Sequence, residues 1–377
     1  MRSTNRKKTE VRRLIAIENA NEGNAPDLSM KLKSYKAICA RLGLAMCVYF
    51  ICRTLAGFLV GVIAEMNGSG INPTLFYAMY SAIMLLFVYA IPMLLTMLLV
   101  KPSGIYGINT GELRLLYKTP KRLAKSLGSF PALYGFGLGV NLLTILVFYL
   151  LTHLFRSLGS VELEKFFEPM AVEAPQNLPS VLIMVFMMAI VAPIFEEFWV
   201  RGLIFDALDP YGAGMAIIIS SIIFGLMHGS VHTLFYTTAL GFALGYVRYA
   251  TNSLFVVTIL HFIINAIASG MMLLLTMTSM TDGENELVNV LTGMYILAMF
   301  VMIVIGIAAM IKKIPVMRRY KIKNNWPEAS PKKKAALFFA SIPVVIMVIL
   351  AINEHANNPL LNAAVEFVTG IQRAGAR

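Results

Sequence analysis

Two adjacent carboxylates stand in a run of otherwise apolar residues, Pro193-Ile194-Phe195-Glu196-Glu197-Phe198-Trp199-Val200-Arg201-Gly202, at the end of the apolar stretch Val181 to Val191. A charged side chain at the centre of a membrane helix costs at least ~2.5 kcal/mol on insertion scales, so such residues usually mark function. Farther along the same hydrophobic region come His228, His232, His261 and Asn265. Glu197 and Arg201 are i and i+4, the favourable acid-first pairing on a helix. Glu196 points about 100° away and is out of register with Arg201. The expectation is that Arg201 clamps Glu197 and leaves Glu196 to do chemistry. Phe224 with His228, and His261 with Asn265, repeat the i, i+4 spacing, so each pair shares one helix face.

Such a set suits hydrolysis. A desolvated carboxylate can act as general base on water, and a neighbouring imidazole can hold the water or shuttle its proton. A second imidazole and an amide can donate to a developing oxyanion. The alternative is a Zn²⁺ site in which Glu196, His228 and His261 are the ligands or act on the metal-bound water. The HExxH arrangement of zinc peptidases is absent. His228 and His232 have ligand spacing, but His232 falls nearer the interface and reads as a polar loop residue. A lone intramembrane histidine is more often a packing residue than a catalyst, and a Glu–Arg pair can be a plain inter-helix clamp. Two Glu, one Arg, two His and one Asn on three neighbouring helices are harder to explain that way.

The elements that must position these residues follow from composition. The chain has 377 residues, 58% hydrophobic and only 14% charged. Counting runs of roughly 20 apolar residues gives about nine candidate spans. The expected fold is therefore all-α, a polytopic integral membrane bundle of about eight or nine transmembrane helices. The spans fall near 38–64, 74–100, 130–155, 180–207, 213–229, 234–249, 253–277, 288–311 and 335–352. Pro193 should kink the fourth by freeing the carbonyl of Ala189.

The net charge of +12 sits in segments between apolar runs. That is the positive-inside pattern, which sets orientation and removes any need for a nucleic-acid partner. Residues 1–37 read as a basic cytoplasmic segment, too long and too charged for a cleavable signal peptide, and able to lie on anionic lipid. Residues 38–352 form the membrane domain, with the chemistry between 180 and 277. Residues 353–377 form a tail whose Leu361, Ala364, Val365, Val368 and Ile371 make an amphipathic stripe. Arg53 lies deep in the first span and needs a partner. The three cysteines, Cys39, Cys47 and Cys52, have no metal-type spacing and read as small buried side chains. Gly241 and Gly245 are spaced for close helix packing.

Helical rise brings the polar residues to one depth. Glu196 and His228 flank the turn at Pro210 on antiparallel helices, one before it and one after it. Their heights above that turn are roughly 21 Å for Glu196 and roughly 27 Å for His228, at the α-helical rise per residue. The next helix starts from the same side, just past Asn252. It lifts His261 by roughly 14 Å and Asn265 by roughly 20 Å.

The ordered motifs EExxxR (Glu196-Glu197…Arg201), FxxxH (Phe224…His228) and HxxxN (His261…Asn265) resemble those of the CAAX protease and bacteriocin-processing (CPBP) family of intramembrane endopeptidases. The resemblance covers about Ser180 to Ser269. It implies a helical peptidase core with Glu196 as base, His228 beside it, and His261 with Asn265 as oxyanion stabilisers. Glu197, Arg201 and Phe224 support them. No cofactor is required on this view, the competing view being a zinc enzyme. The implied substrate is a peptide or a membrane-protein segment, prenylated or not. The implied location is the cell membrane, multi-pass, with a cytoplasmic N-terminus. Two other classes are weighed against it. A scaffold or immunity protein would use the groove only to bind, with no need to bury these residues. A proton-coupled transporter would call for inverted repeats, and none is visible.

Overall fold

The computed structural model describes residues 28–67, 72–100, 123–159, 177–281, 283–319, 322 and 326–355. The basic N-terminal residues before 28, the loop segments 101–122 and 160–176, and the amphipathic stripe beyond 355 lie outside the described residues. The rest is helical: α1 (Leu28–Asn67), α2 (Pro73–Val100), a short α3 (Leu123–Leu127), α4 (Phe130–Ser157), α5 (Leu178–Tyr211), α6 (Ala213–Leu226), α7 (Val231–Thr251), α8 (Leu254–Met280), α9 (Glu286–Arg319), α10 (Pro331–Phe339) and α11 (Ile342–His355).

The starts of these helices are written locally. The side chain of Asn72 accepts from Thr74 N at 2.8 Å just ahead of α2, and that of Asn177 accepts from Ser180 N at 2.9 Å ahead of α5. Ser253 and Ser330 do the same for α8 and α10. Each supplies an acceptor to an end N–H that has no helical partner. Between α7 and α8 the chain reverses on Asn252, which adopts the left-handed conformation at φ 49°.

Helices occupy all nine expected places, but they are not nine equivalent spans. Six are long and apolar enough to cross a membrane: α1, α2, α4, α5, α8 and α9, counting α9 to Lys312. Helix α6 has only 14 residues. Helix α7 carries His232, Thr233, Thr237, Thr238 and Arg248 and does not qualify by apolarity. The run expected as one span at 335–352 is two helices, α10 and α11, meeting at 72° and forming at most one broken span. Pro343 is the second residue of α11, a position that suits proline at a helix start but cannot continue the ladder of α10.

Two cores share α5. In one, α1, the end of α5, α6 and α11 enclose Tyr49, Phe50, Trp199, Phe224 and Met347. In the other, α4, α7 and α8 enclose Leu133, Leu240, Leu244, Val257 and Leu260. Phe198 of α5 packs against both. Helix α6 lies along α7 and α1 along α11. The close approach of α6 and α7 rests on Gly241: a Cβ there would come within 3.1 Å of the Phe224 ring and 3.2 Å of Ser221 Cα. Gly245 faces Ile217 in the same seam, as the small-residue spacing leads one to expect.

Candidate active site

Helix α5 does not meet Pro193 with a simple kink. The chain widens into a π-turn over Met187–Val191, and the Ala192 N–H donates to Met187 O, five residues back. In that register the next carbonyl, that of Met188, would look to Pro193, which has no N–H. Met188 O accepts instead from the side-chain Nδ2 of Asn265 at 2.9 Å. The carbonyl lost to the proline is thus one residue earlier than the Ala189 expected from ordinary helical spacing. Asn265 fills it, which ties α8 to α5 eight residues before Glu196 and fixes the orientation of the amide.

Glu197 is completely buried, and so is Arg201, whose Nη1 lies 2.8 Å from Glu197 Oε1. This is the i, i+4 pair expected from spacing. Arg201 Nη2 also donates to Gly241 O at 3.1 Å, and its guanidinium lies over the Phe224 ring at 4.3 Å. One side chain of α5 thereby holds α6 and α7. Glu197 does more than neutralise Arg201. Its Oε1 is also 2.8 Å from His261 Nδ1. A carboxylate already paired with arginine accepts here, so Nδ1 carries the proton and His261 presents Nε2 to the site. Spacing within α5 gives no sign of this contact, because its partner stands on another helix, far along the chain.

Glu196 turns to the other side of α5. Its side chain is 13% exposed where that of Glu197 is fully covered. Oε2 faces His261 Nε2 at 3.8 Å, and Oε1 accepts from the Tyr89 hydroxyl of α2 at 3.1 Å. At 3.8 Å the two atoms are not directly hydrogen-bonded, and a water lying to one side of the line between them can touch both. Sequence reasoning misses Tyr89, since a single tyrosine in an apolar run carries no positional signal. Tyr89 also packs against Phe195, with ring centroids 5.5 Å apart.

His228 follows the end of α6, on the corner leading to α7. Its Nδ1 is 2.8 Å from the carbonyl of Phe224, which can only accept. Nδ1 is therefore the protonated nitrogen and Nε2 is left with its lone pair. The Phe224 ring meets both imidazoles edge to face, with centroids 4.8 Å from His228 and 5.6 Å from His261. Glu196, His261 and Arg53 are all near enough to act electrostatically on His228. The structure so brings together Glu196, His228 and His261, with Asn265 one turn beyond His261. His232 sits apart from them, against Phe148 of α4 at 4.8 Å.

The partner that Arg53 needs is found in α11. Arg53 pairs with Glu354 and donates to the carbonyl of Met227 and, at 3.2 Å, to that of His228. From sequence Glu354 falls in a polar tail, but α11 runs on to His355 and carries it into the interior. Among the described residues no three His, Cys, Asp or Glu side chains are grouped so as to hold a metal ion. Both imidazoles nevertheless keep Nε2 available, so the donors for such a site exist if the side chains drew together.

Comparison with known proteins points to one region. Residues 178–267 match the family described as type II CAAX prenyl endopeptidase Rce1-like. Over 87 residues the chain is 34% identical to the Bacillus subtilis (strain 168) protein named "Putative membrane peptidase YdiL". That alignment covers 23% of this chain and 36% of the relative, so the likeness spans little more than a third of the relative's length. No solved structure matches. The matched segment contains Glu196, Glu197, Arg201, Phe224, His228, His261 and Asn265, and excludes Arg53, Tyr89 and Glu354.

Proposed function

We propose, from the match of residues 178–267 to the Rce1-like CAAX endopeptidase family, that this multi-pass membrane protein is an intramembrane endopeptidase. It hydrolyses a peptide bond in a peptide or a membrane-associated protein segment. The observation that carries the reading is the opening between Glu196 Oε2 and His261 Nε2, at 3.8 Å, beside a His228 whose Nε2 is a free acceptor.

Glu196 takes a proton from a water held in that opening, and His228 Nε2 helps to hold the same water. The water oxygen adds to the scissile carbonyl carbon, and the carbonyl oxygen becomes an oxyanion. Collapse breaks the C–N bond, and Glu196 returns the proton to the departing nitrogen, leaving a carboxyl and an amine. Asn265 has two N–H bonds, one of them spent on Met188, and the second serves the oxyanion. His261, held by its Nδ1 on Glu197, turns Nε2 toward the reacting centre. Tyr89 holds the Glu196 carboxylate toward the gap.

This mechanism is metal-free. Support comes from the helix face that His261 shares with Asn265, an amide suited to an oxyanion rather than to zinc. The orientation we infer has the N-terminus in the cytoplasm, with α6, α7 and the α10–α11 pair completing nine membrane-embedded segments.

The test uses the purified full chain in nanodiscs with a panel of quenched fluorogenic peptides, prenylated and unprenylated. Cleavage by the wild type and its loss in Glu196→Gln, with expression and melting intact, is the expected result. Activity lost on chelation and restored by zinc would replace the metal-free step with one in which Glu196, His228 and His261 are ligands.

A further inference from the structure

We infer that Arg53 and Glu354, contributed by the first and last described helices, are positioning residues that set the His228 imidazole. This rests on the endopeptidase reading above. His228 is not inside a helix. It sits on the corner after Leu226, where the last carbonyls of α6 have no helical donor. Three carbonyls here, that of Phe224 in α6 and those of Met227 and His228 just beyond it, are met by side chains. Phe224 O takes the Nδ1–H of His228 itself at 2.8 Å. Met227 O takes the Tyr49 hydroxyl at 2.7 Å and Arg53 Nη1. His228 O takes Arg53 Nη2 at 3.2 Å.

One planar guanidinium thus grips two successive carbonyls at a helix C-terminus, where a cation is favoured by the helix dipole. Its remaining edge is fixed by Glu354, and Tyr49 bridges Arg53 Nη1 at 2.9 Å. The corner is shaped to receive it. Gly229 has φ +64°, and a Cβ there would run into the Arg53 guanidinium and come to 2.7 Å from Glu354 Oε1.

A buried ion pair is weak evidence for stability, since apolar residues of similar volume often do as well. Two features go beyond a generic clamp. The guanidinium is spent on the backbone of the residue that bears the imidazole, and the pair is drawn from opposite ends of the described chain to reach it. If the corner relaxed, the carbonyl of Phe224 would shift relative to His228 Nδ1. The bond that fixes the tautomer would go with it, and with the tautomer the free acceptor at Nε2.

The experiment uses the full chain in nanodiscs with ¹⁵N-labelled histidine, of which the chain has five. The wild type should show His228 as one tautomer, Nδ1 protonated and Nε2 bare. Glu354→Gln keeps size and removes the charge. It should give averaged His228 ring shifts while the His232 and His261 signals stay in place. On any peptide that the wild type cleaves, kcat should fall about ten- to a hundredfold with KM within about twofold, the cost of a small misplacement. Glu354→Asp should restore part of both. Arg53→Lys should act like Glu354→Gln, because an ammonium cannot span two carbonyls and a carboxylate. If Arg53→Lys does not fold, Tyr49→Phe joins Glu354→Gln as the second variant. Folded variants with wild-type His228 shifts and wild-type kcat would overturn the assignment. A disturbed His228 in a protein whose wild type cleaves nothing would uphold the positioning and reject the endopeptidase reading instead.

Discussion

Glu196 and Glu197 are neighbours of one residue type, and their surroundings could hardly differ more. The Glu197 side is sealed. Arg201, the Phe224 ring, Gly241 O and His261 Nδ1 surround it, and every one of these belongs to the segment matched by the family. The Glu196 side is partly open and is completed from outside that segment, by Tyr89 of α2 and, through His228, by Arg53 of α1 and Glu354 of α11. The sealed side sets the geometry of α5, α6, α7 and α8 relative to one another. On the endopeptidase reading, the open side is where a substrate and a water enter. A short motif can therefore carry the reacting groups, while the helices around it hold the site in working order.

The comparison can be broken most directly by neutralising each carboxylate. Glu196→Gln should reduce turnover by about 10²- to 10⁴-fold, the usual worth of a general base, with little change in melting temperature. Glu197→Gln leaves Arg201 buried without its counter-charge, and loss of one partner of a buried pair costs about 3–5 kcal/mol. Thermal melting should register that loss. Replacing both, Glu197→Gln with Arg201→Met, should recover part of it. Equal melting of the two single variants would show that the sides are not distinct.

A smaller effect should come from the seam between α6 and α7. Gly241→Ala pushes a methyl group toward the Phe224 ring and Ser221 Cα, an overpacking that costs about 1–3 kcal/mol. Because Phe224 touches both imidazoles, turnover should fall as well as stability. The smallest change should be Tyr89→Phe, which removes one hydrogen bond of 3.1 Å to a partly exposed carboxylate, worth about 0.5–1.5 kcal/mol. Here turnover should drop by roughly tenfold, with melting shifted only slightly. A Tyr89→Phe variant that unfolds would make Tyr89 part of the sealed frame rather than of the open side.

Much of the site was legible because helical geometry is local. The i, i+4 rule reaches from Glu197 to Arg201 and from Phe224 to His228, and helical rise accounts for the shared depth of Glu196, His228 and His261. Long-range pairing has no such ruler. Arg53 could be read as needing a partner, but nothing near Glu354 marked it as that partner, and its position close to a polar tail argued against burial. Tyr89 looks like any aromatic in an apolar helix. The Pro193 site was legible only in part. A proline announces a lost hydrogen bond, yet whether the helix kinks or widens into a π-turn depends on what stands ready to meet the freed carbonyl. Here that is Asn265, from another helix. Hydropathy alone counted nine runs and could not see that α6 is short or that Pro343 breaks the ninth.

The shortness of α6 has a consequence for the depth at which it ends. Fourteen residues reach about 21 Å, against about 30 Å of hydrocarbon in a typical bilayer. Ten of the fourteen residues are buried among neighbouring helices, so little of this short segment meets lipid. The corner at Met227 to Gly229 lies at the end of that short segment. On the endopeptidase reading, a segment that stops roughly 9 Å short of a full span leaves this corner, and His228 with it, within the thickness of the membrane rather than at its surface.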